Sequence, residues 1–140
     1  VPLVDPAGLE EALVGLVPSL AAHLRAHTED TSTRVMQTKE EVPRVGPVRV
    51  QAARFVETLV RLDSRDVDRV LVTERALDTC LDMMFKYERC SMLHGSVCGA
   101  VMAIMEAPGR DHLRRHLVED CRLVERILEA VRLNQDTEGG

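Results

Sequence analysis

Aromatic side chains are almost missing from this chain: among 140 residues there are two Phe, one Tyr and no Trp. Any core must therefore be built from Leu, Val, Ala and Met. Leu, Ala and Met are good helix formers, and such side chains suit helix-on-helix packing. The same scarcity removes the stacking platforms that hold single-stranded nucleic acid. A net charge of −5 repels phosphate backbones and anionic lipid surfaces, and no Lys/Arg run reverses it locally. These features exclude nucleic acid as the expected partner. No stretch approaches the roughly 20 apolar residues of a membrane span. The length suits one helical domain, or one segment of a longer helical array, over residues 1–140.

The apolar spacing divides the chain into about six helices. Asp5-Pro6 is a good N-cap and first helical residue, and Leu9, Leu13, Leu16, Leu20 and Leu24 follow at helical intervals. Pro18 predicts a kink or break in that helix. Residues 28–46 are polar, mixed in charge and poor in large apolar residues, and read as a long mobile loop without a convincing strand. A second helix is predicted from Pro47 to Leu62, with Val48, Ala52, Phe55, Val56, Leu59 and Leu62 along its stripe. A short helical turn follows Asp66. The next helix starts near Thr73, buries Leu77, Leu81, Met84 and Phe85, and ends at Lys86-Tyr87. Another spans Leu93–Glu106, where Gly95 and Gly99 imply close helix packing. Pro108-Gly109 stops it. The last helical region runs from Asp111 to about Leu133, with a break near Val118–Asp120. Its expected apolar face is Leu113, Leu117, Val124, Ile127, Leu128 and Val131. Residues 135–140 are expected to fray. The predicted fold is all-α: a solenoid segment of the helical-repeat type, or a compact helical array.

Chemistry-bearing patterns are sparse. Cys80, Cys90, Cys98 and Cys121 show no C-x-x-C pairing. Cys80, Cys98 and Cys121 fall on or beside apolar faces, as reduced core thiols do. With no visible signal peptide, this predicts an intracellular, cytoplasmic protein. Cys90, His94 and Cys98 stand four apart and could share a helical face as zinc ligands. However, Cys90 falls before the helix and no fourth ligand is near, so no metal or other cofactor is expected. His112 and His116 have i, i+4 spacing, but Leu113 occupies the position where a metalloprotease needs Glu. Arg115, Glu119, Arg122, Arg126 and Glu129 make a mixed-charge stripe, a solvated face or a docking face. No nucleophile elbow, phosphate-cradling loop or paired carboxylates are evident, so no catalytic residues are assigned.

Two stretches carry a resemblance. Leu81-Asp82-Met83-Met84-Phe85-Lys86-Tyr87, followed by Leu93-His94, and Cys121-Arg122-Leu123-Val124-Glu125-Arg126-Ile127-Leu128-Glu129-Ala130 resemble the SAPS domain of regulatory subunits of protein phosphatase 6. Pro47–Leu62 is similar to the family's preceding helix, so the resemblance covers about residues 47–134. It implies a non-catalytic helical-repeat scaffold whose partner is a type 2A-like Ser/Thr phosphatase catalytic subunit, steered by it to substrates. Where the family carries an aromatic and Asn residues after the tyrosine, Glu88-Arg89-Cys90-Ser91 stand here. The chain is also far shorter than a complete SAPS domain. The expected partner surface comprises Lys86, Tyr87, Glu88 and Arg89 at a helix end, and Arg115, Arg122 and Arg126, whose planar guanidinium groups suit interfaces. Two other readings remain open from the residues themselves: an unrelated helical-repeat adaptor, and a small metal-dependent enzyme using the Cys/His positions.

Overall fold

The computed structural model describes residues 6–26 and 33–139. Its elements are α1 (Pro6–Arg25), a hairpin of β1 (Thr33–Val35) and β2 (Glu41–Pro43), α2 (Pro47–Arg61), α3 (Arg65–Thr73), α4 (Ala76–Lys86), α5 (Ser91–Glu106), α6 (Asp111–Arg115), a π-helical turn (His116–Asp120) and α7 (Leu123–Gly139). The fold is an all-α helical array, as the apolar spacing predicts. Asp5, the expected N-cap of α1, lies outside the described residues.

α1 runs through Pro18 without a break. Losing one backbone donor is outweighed by the burial of Val17, Ala21 and Leu24, each fully enclosed. Of the leucine series only Leu24 is fully enclosed; Leu13 and Leu20 pack against the core partly buried, and Leu9 and Leu16 are about half exposed. Within the segment read as a loop, β1 and β2 pair antiparallel, with Arg34 opposite Val42. Lys39, at φ 69°, closes the turn and donates its amide to Met36 at 2.8 Å. Pro43 sits at the end of a two-stranded hairpin, where its missing donor costs little.

α2 starts as expected, with Gly46 at φ 81° before Pro47 at the first helical position. It packs most extensively on α5, where Ala52 and Ala53 are buried. Gly99 explains part of the closeness: a Cβ there would run into the Glu57 carboxylate, and Arg61 donates toward the Gly99 carbonyl at 3.5 Å. Gly95 meets nothing within 4 Å, so close packing accounts for only one of the two glycines. Val48 and Leu62, placed on the predicted stripe, are exposed.

The predicted short turn is a full helix, α3, capped by Ser64, whose hydroxyl accepts from the Val67 amide at 3.4 Å. Thr73 is the end of α3 and not the cap of the next helix. Its hydroxyl bonds back to the Arg69 carbonyl at 2.9 Å, and left-handed Arg75 (φ 56°) precedes α4. In α4 the enclosed residues are Leu77, Cys80, Leu81 and Met83. Met84 and Phe85, expected inside, are half-buried.

A buried ion pair locks the middle of the array. Arg110 and Asp68 are 2% and 1% exposed and meet at 2.7 Å. Arg110 also donates to the Val60 carbonyl at 2.7 Å, joining the end of α2, the start of α3 and the turn before α6. Burial pushes the Asp68 carboxyl up, against the pull of the Arg110 hydrogen bond.

Candidate functional site

The last third of the chain generates a large groove beside the core. After α6 the ladder widens into the π turn, with the Cys121 amide reaching the His116 carbonyl at 2.9 Å. Arg122 then takes a left-handed conformation (φ 56°) and redirects the chain into α7. This break separates Arg115 from Arg122 and Arg126, so the five charged residues do not form one stripe. It also lifts α7 off the body, and the helix's close backbone contacts run chiefly to the π turn. Val124, Ile127, Leu128 and Val131, expected to be buried, are 46–64% exposed, and the buried residues here are Cys121 and Leu123.

Between α7 and the α4–α5 corner lies an open groove of about 930 Å³. Met84, Phe85 and Glu88 come from the end of α4, His94 and Cys98 from α5, and Arg122, Glu125, Arg126, Glu129, Ala130 and Leu133 from α7. Arg126 fastens α7 to α4. One guanidinium nitrogen meets Asp78 at 2.8 Å and the other meets Asp82 at 2.5 Å. These partners lie 48 and 44 residues away in sequence, beyond the reach of spacing rules.

The seven residues predicted for a partner surface are thus divided. Glu88, Arg122 and Arg126 share the groove. Lys86 lies over the Tyr87 ring, 5.0 Å from its centroid, and Tyr87 itself is 2% exposed. Arg89 reaches Glu40 at 3.3 Å, tying the hairpin to the α4–α5 turn. Tyr87, Arg89 and Cys90 line a separate, smaller cleft with Arg44 and Val45. Arg115 is exposed on α6, away from both.

The Cys/His patterns do not converge. His94 donates to the Tyr87 carbonyl at 3.1 Å. Cys98 is exposed, not a core thiol, and its sulfur lies 3.9 Å from that of Met84. His112 stands 3.7 Å from Asp68, while His116 faces Asp120 at 2.8 Å. Among the described residues no three His, Cys, Asp or Glu side chains gather as a metal-binding group.

One cluster escaped the sequence reading. The Cys121 sulfur is 3.5 Å from His116 Nε2, and His116 Nδ1 is 2.8 Å from Asp120. The order thiol, imidazole, carboxylate matches a nucleophile, its base and an orienting acid. Its surroundings oppose that use. Cys121 is 1% exposed, and burial, helped by the Asp78 carboxylate, pushes its thiol up to about 12. A protonated, enclosed thiol is a poor nucleophile. The sequence signal for this cluster is Asp120 four residues after His116, with Cys121 beside it.

Residues 66–139, more than half of the chain, match the SAPS family, described as SIT4 phosphatase-associated protein. The chain belongs to this family. Similar proteins include serine/threonine-protein phosphatase 6 regulatory subunit 3 of Gallus gallus, 30% identical over 131 residues covering 80% of this chain. Regulatory subunit 3-B of Xenopus laevis is 31% identical over 127 residues, 77% of the chain. Regulatory subunit 1 of Homo sapiens is 27% identical over 96 residues, 61% of the chain. The SAPS chain described here spans about 15% of the length of the first two relatives. No solved structure matches it. The SAPS match takes in the groove, Arg122 and Arg126, and the buried Asp68–Arg110 pair. No helix among the described residues is long and apolar enough to cross a membrane.

Proposed function

We propose that this chain is a non-catalytic regulatory scaffold that docks the catalytic subunit of a type 2A-like Ser/Thr phosphatase inside the cell and directs it to substrates. The observation that carries this reading is membership of the SAPS family, together with relatives named as phosphatase 6 regulatory subunits. Two structural features support it. The thiol of the Cys121–His116–Asp120 cluster is enclosed, and α7 presents an apolar outer face for a partner to cover.

Glu88 and Arg122, both exposed and both lining the groove, are the residues assigned to the partner surface with most freedom to act there. The test is affinity capture of a phosphatase 6 catalytic subunit by the tagged chain and by an Arg122→Glu variant. Capture by the wild type, weakened by the variant while both give the same circular dichroism melt, supports the reading. Absence of the catalytic subunit from the wild-type capture refutes it.

A further inference from the structure

We propose that the groove between α7 and the α4–α5 corner is a seat for an amphipathic helix whose flank carries Lys or Arg. The inference concerns the type of segment received, and it stands whether or not that segment belongs to a phosphatase.

The shape argues for a helix. Arg122, Glu125, Arg126, Glu129, Ala130 and Leu133 line the groove from α7. They recur every three to four residues, so one whole face of the helix forms a wall. From 122 to 133 that wall is roughly 17 Å long. This length accommodates about three turns, enough for anchors at i, i+3/i+4 and i+7 on an incoming helix. The far wall supplies Met84, Phe85 and Cys98. Thioether and thiol side chains are soft and adaptable, and Met-rich surfaces accept helices of varied sequence. Ala130 and Leu133 add apolar surface on the α7 side, whereas Val124, Ile127, Leu128 and Val131 lie on the opposite, outer face of that helix.

The charge argues for a basic flank. Glu88, Glu125 and Glu129 face the groove against Arg122 and Arg126. Arg126 is already discharged by Asp78 and Asp82. Glu129 is already held by Arg132 at 2.7 Å, but among the described residues Glu88 and Glu125 form no ion pair. The carbonyl end of α4 beside Glu88 adds partial negative charge. An incoming acidic helix would meet these carboxylates, while Lys or Arg side chains would pair with them.

Cys98 supplies the assay, because it is exposed and lines the groove, whereas Cys90 lines the other cleft. The full chain is alkylated with iodoacetamide, and each cysteine is followed by mass spectrometry. The probe is a synthetic Leu/Lys amphipathic helix matched to the 17 residues of α7; the control is its Leu/Glu counterpart. At ten times its Kd the lysine peptide should slow Cys98 alkylation by about tenfold, leaving Cys90 unchanged. The glutamate peptide should not protect. Glu125→Lys should reverse that preference with an unaltered circular dichroism spectrum. Equal protection by both peptides, or by neither, overturns the proposal. So does protection of Cys98 by raising the concentration of the chain alone with the mass of a dimer, which would make a second copy the occupant. Peptide binding with failed phosphatase capture would sink the functional reading and leave this one standing.

Discussion

Replacing Asp68 with Ala removes the carboxylate facing Arg110 and leaves a guanidinium whose side chain is only 3% exposed. Breaking a buried pair from one side costs about 3–5 kcal/mol, because the remaining charge is uncompensated. Asp63 lies 3.4 Å from Arg110 but is 68% exposed, so water screens what it can return. With a urea m-value of about 2 kcal/mol/M, the midpoint should fall by roughly 2 M. A domain this size has about 5–15 kcal/mol in total, so the variant should sit near the edge of folding at room temperature. Changing both partners, Asp68→Leu with Arg110→Met, removes the charges together. The Val60 carbonyl then still accepts from the Asp63 amide at 3.3 Å. Such replacement is often neutral or stabilising, so the double variant should recover most of the loss. The assay is urea unfolding followed by far-UV circular dichroism. A single variant within about 0.5 M of the wild-type midpoint, or a double variant weaker than the single, would refute the reasoning.

Alkaline pH should expose the two enclosed thiols. Burial raises Cys80 and Cys121 from 9.0 to about 12, so their contribution is complete below about 9 and is lost as pH rises toward 12. At pH 10 the unfolded chain gains about 1.4 kcal/mol per thiol. The wild type should therefore lose about 3 kcal/mol more between pH 7 and 10 than Cys80→Ala/Cys121→Ala, measured by urea midpoints; identical pH profiles would contradict this. Met83→Ala, at a fully enclosed position, should cost about 2–5 kcal/mol, and Phe85→Ala distinctly less, with equal losses in denaturant titrations placing Phe85 in the core after all. Arg126→Ala removes a partly exposed double ion pair and should cost about 1 kcal/mol; a melt lowered far beyond that would make the tether of α7 a main support of the fold.

The helix boundaries were legible where punctuation is chemical. Gly46-Pro47 opens α2 and Pro108-Gly109 closes α5, and the Lys86-Tyr87 end of α4 falls where expected. Faces were harder. Spacing puts Met84 on the buried face, yet the body encloses its neighbour Met83. The apolar residues of α7 follow the rule for a buried stripe, yet the left-handed turn at Arg122 directs that helix away from the core. Long-range partners were beyond local reading. Asp68 and Arg110 stand 42 residues apart, and the carboxylates of Arg126 come from α4, 48 and 44 residues earlier. The hairpin was hidden by its shortness, three residues per strand, too few for alternation to register. Among the predicted partner residues, Glu88, Arg122 and Arg126 are brought together by the groove, whereas Tyr87 turns inward and Arg115 is left on another face.

Titration of the purified chain with a purified phosphatase 6 catalytic subunit by isothermal calorimetry tests the central claim most directly. A saturable one-to-one complex is predicted, with a negative heat-capacity change from covering the apolar side chains of α7. Heats indistinguishable from dilution, for a chain shown to be folded, would contradict the account.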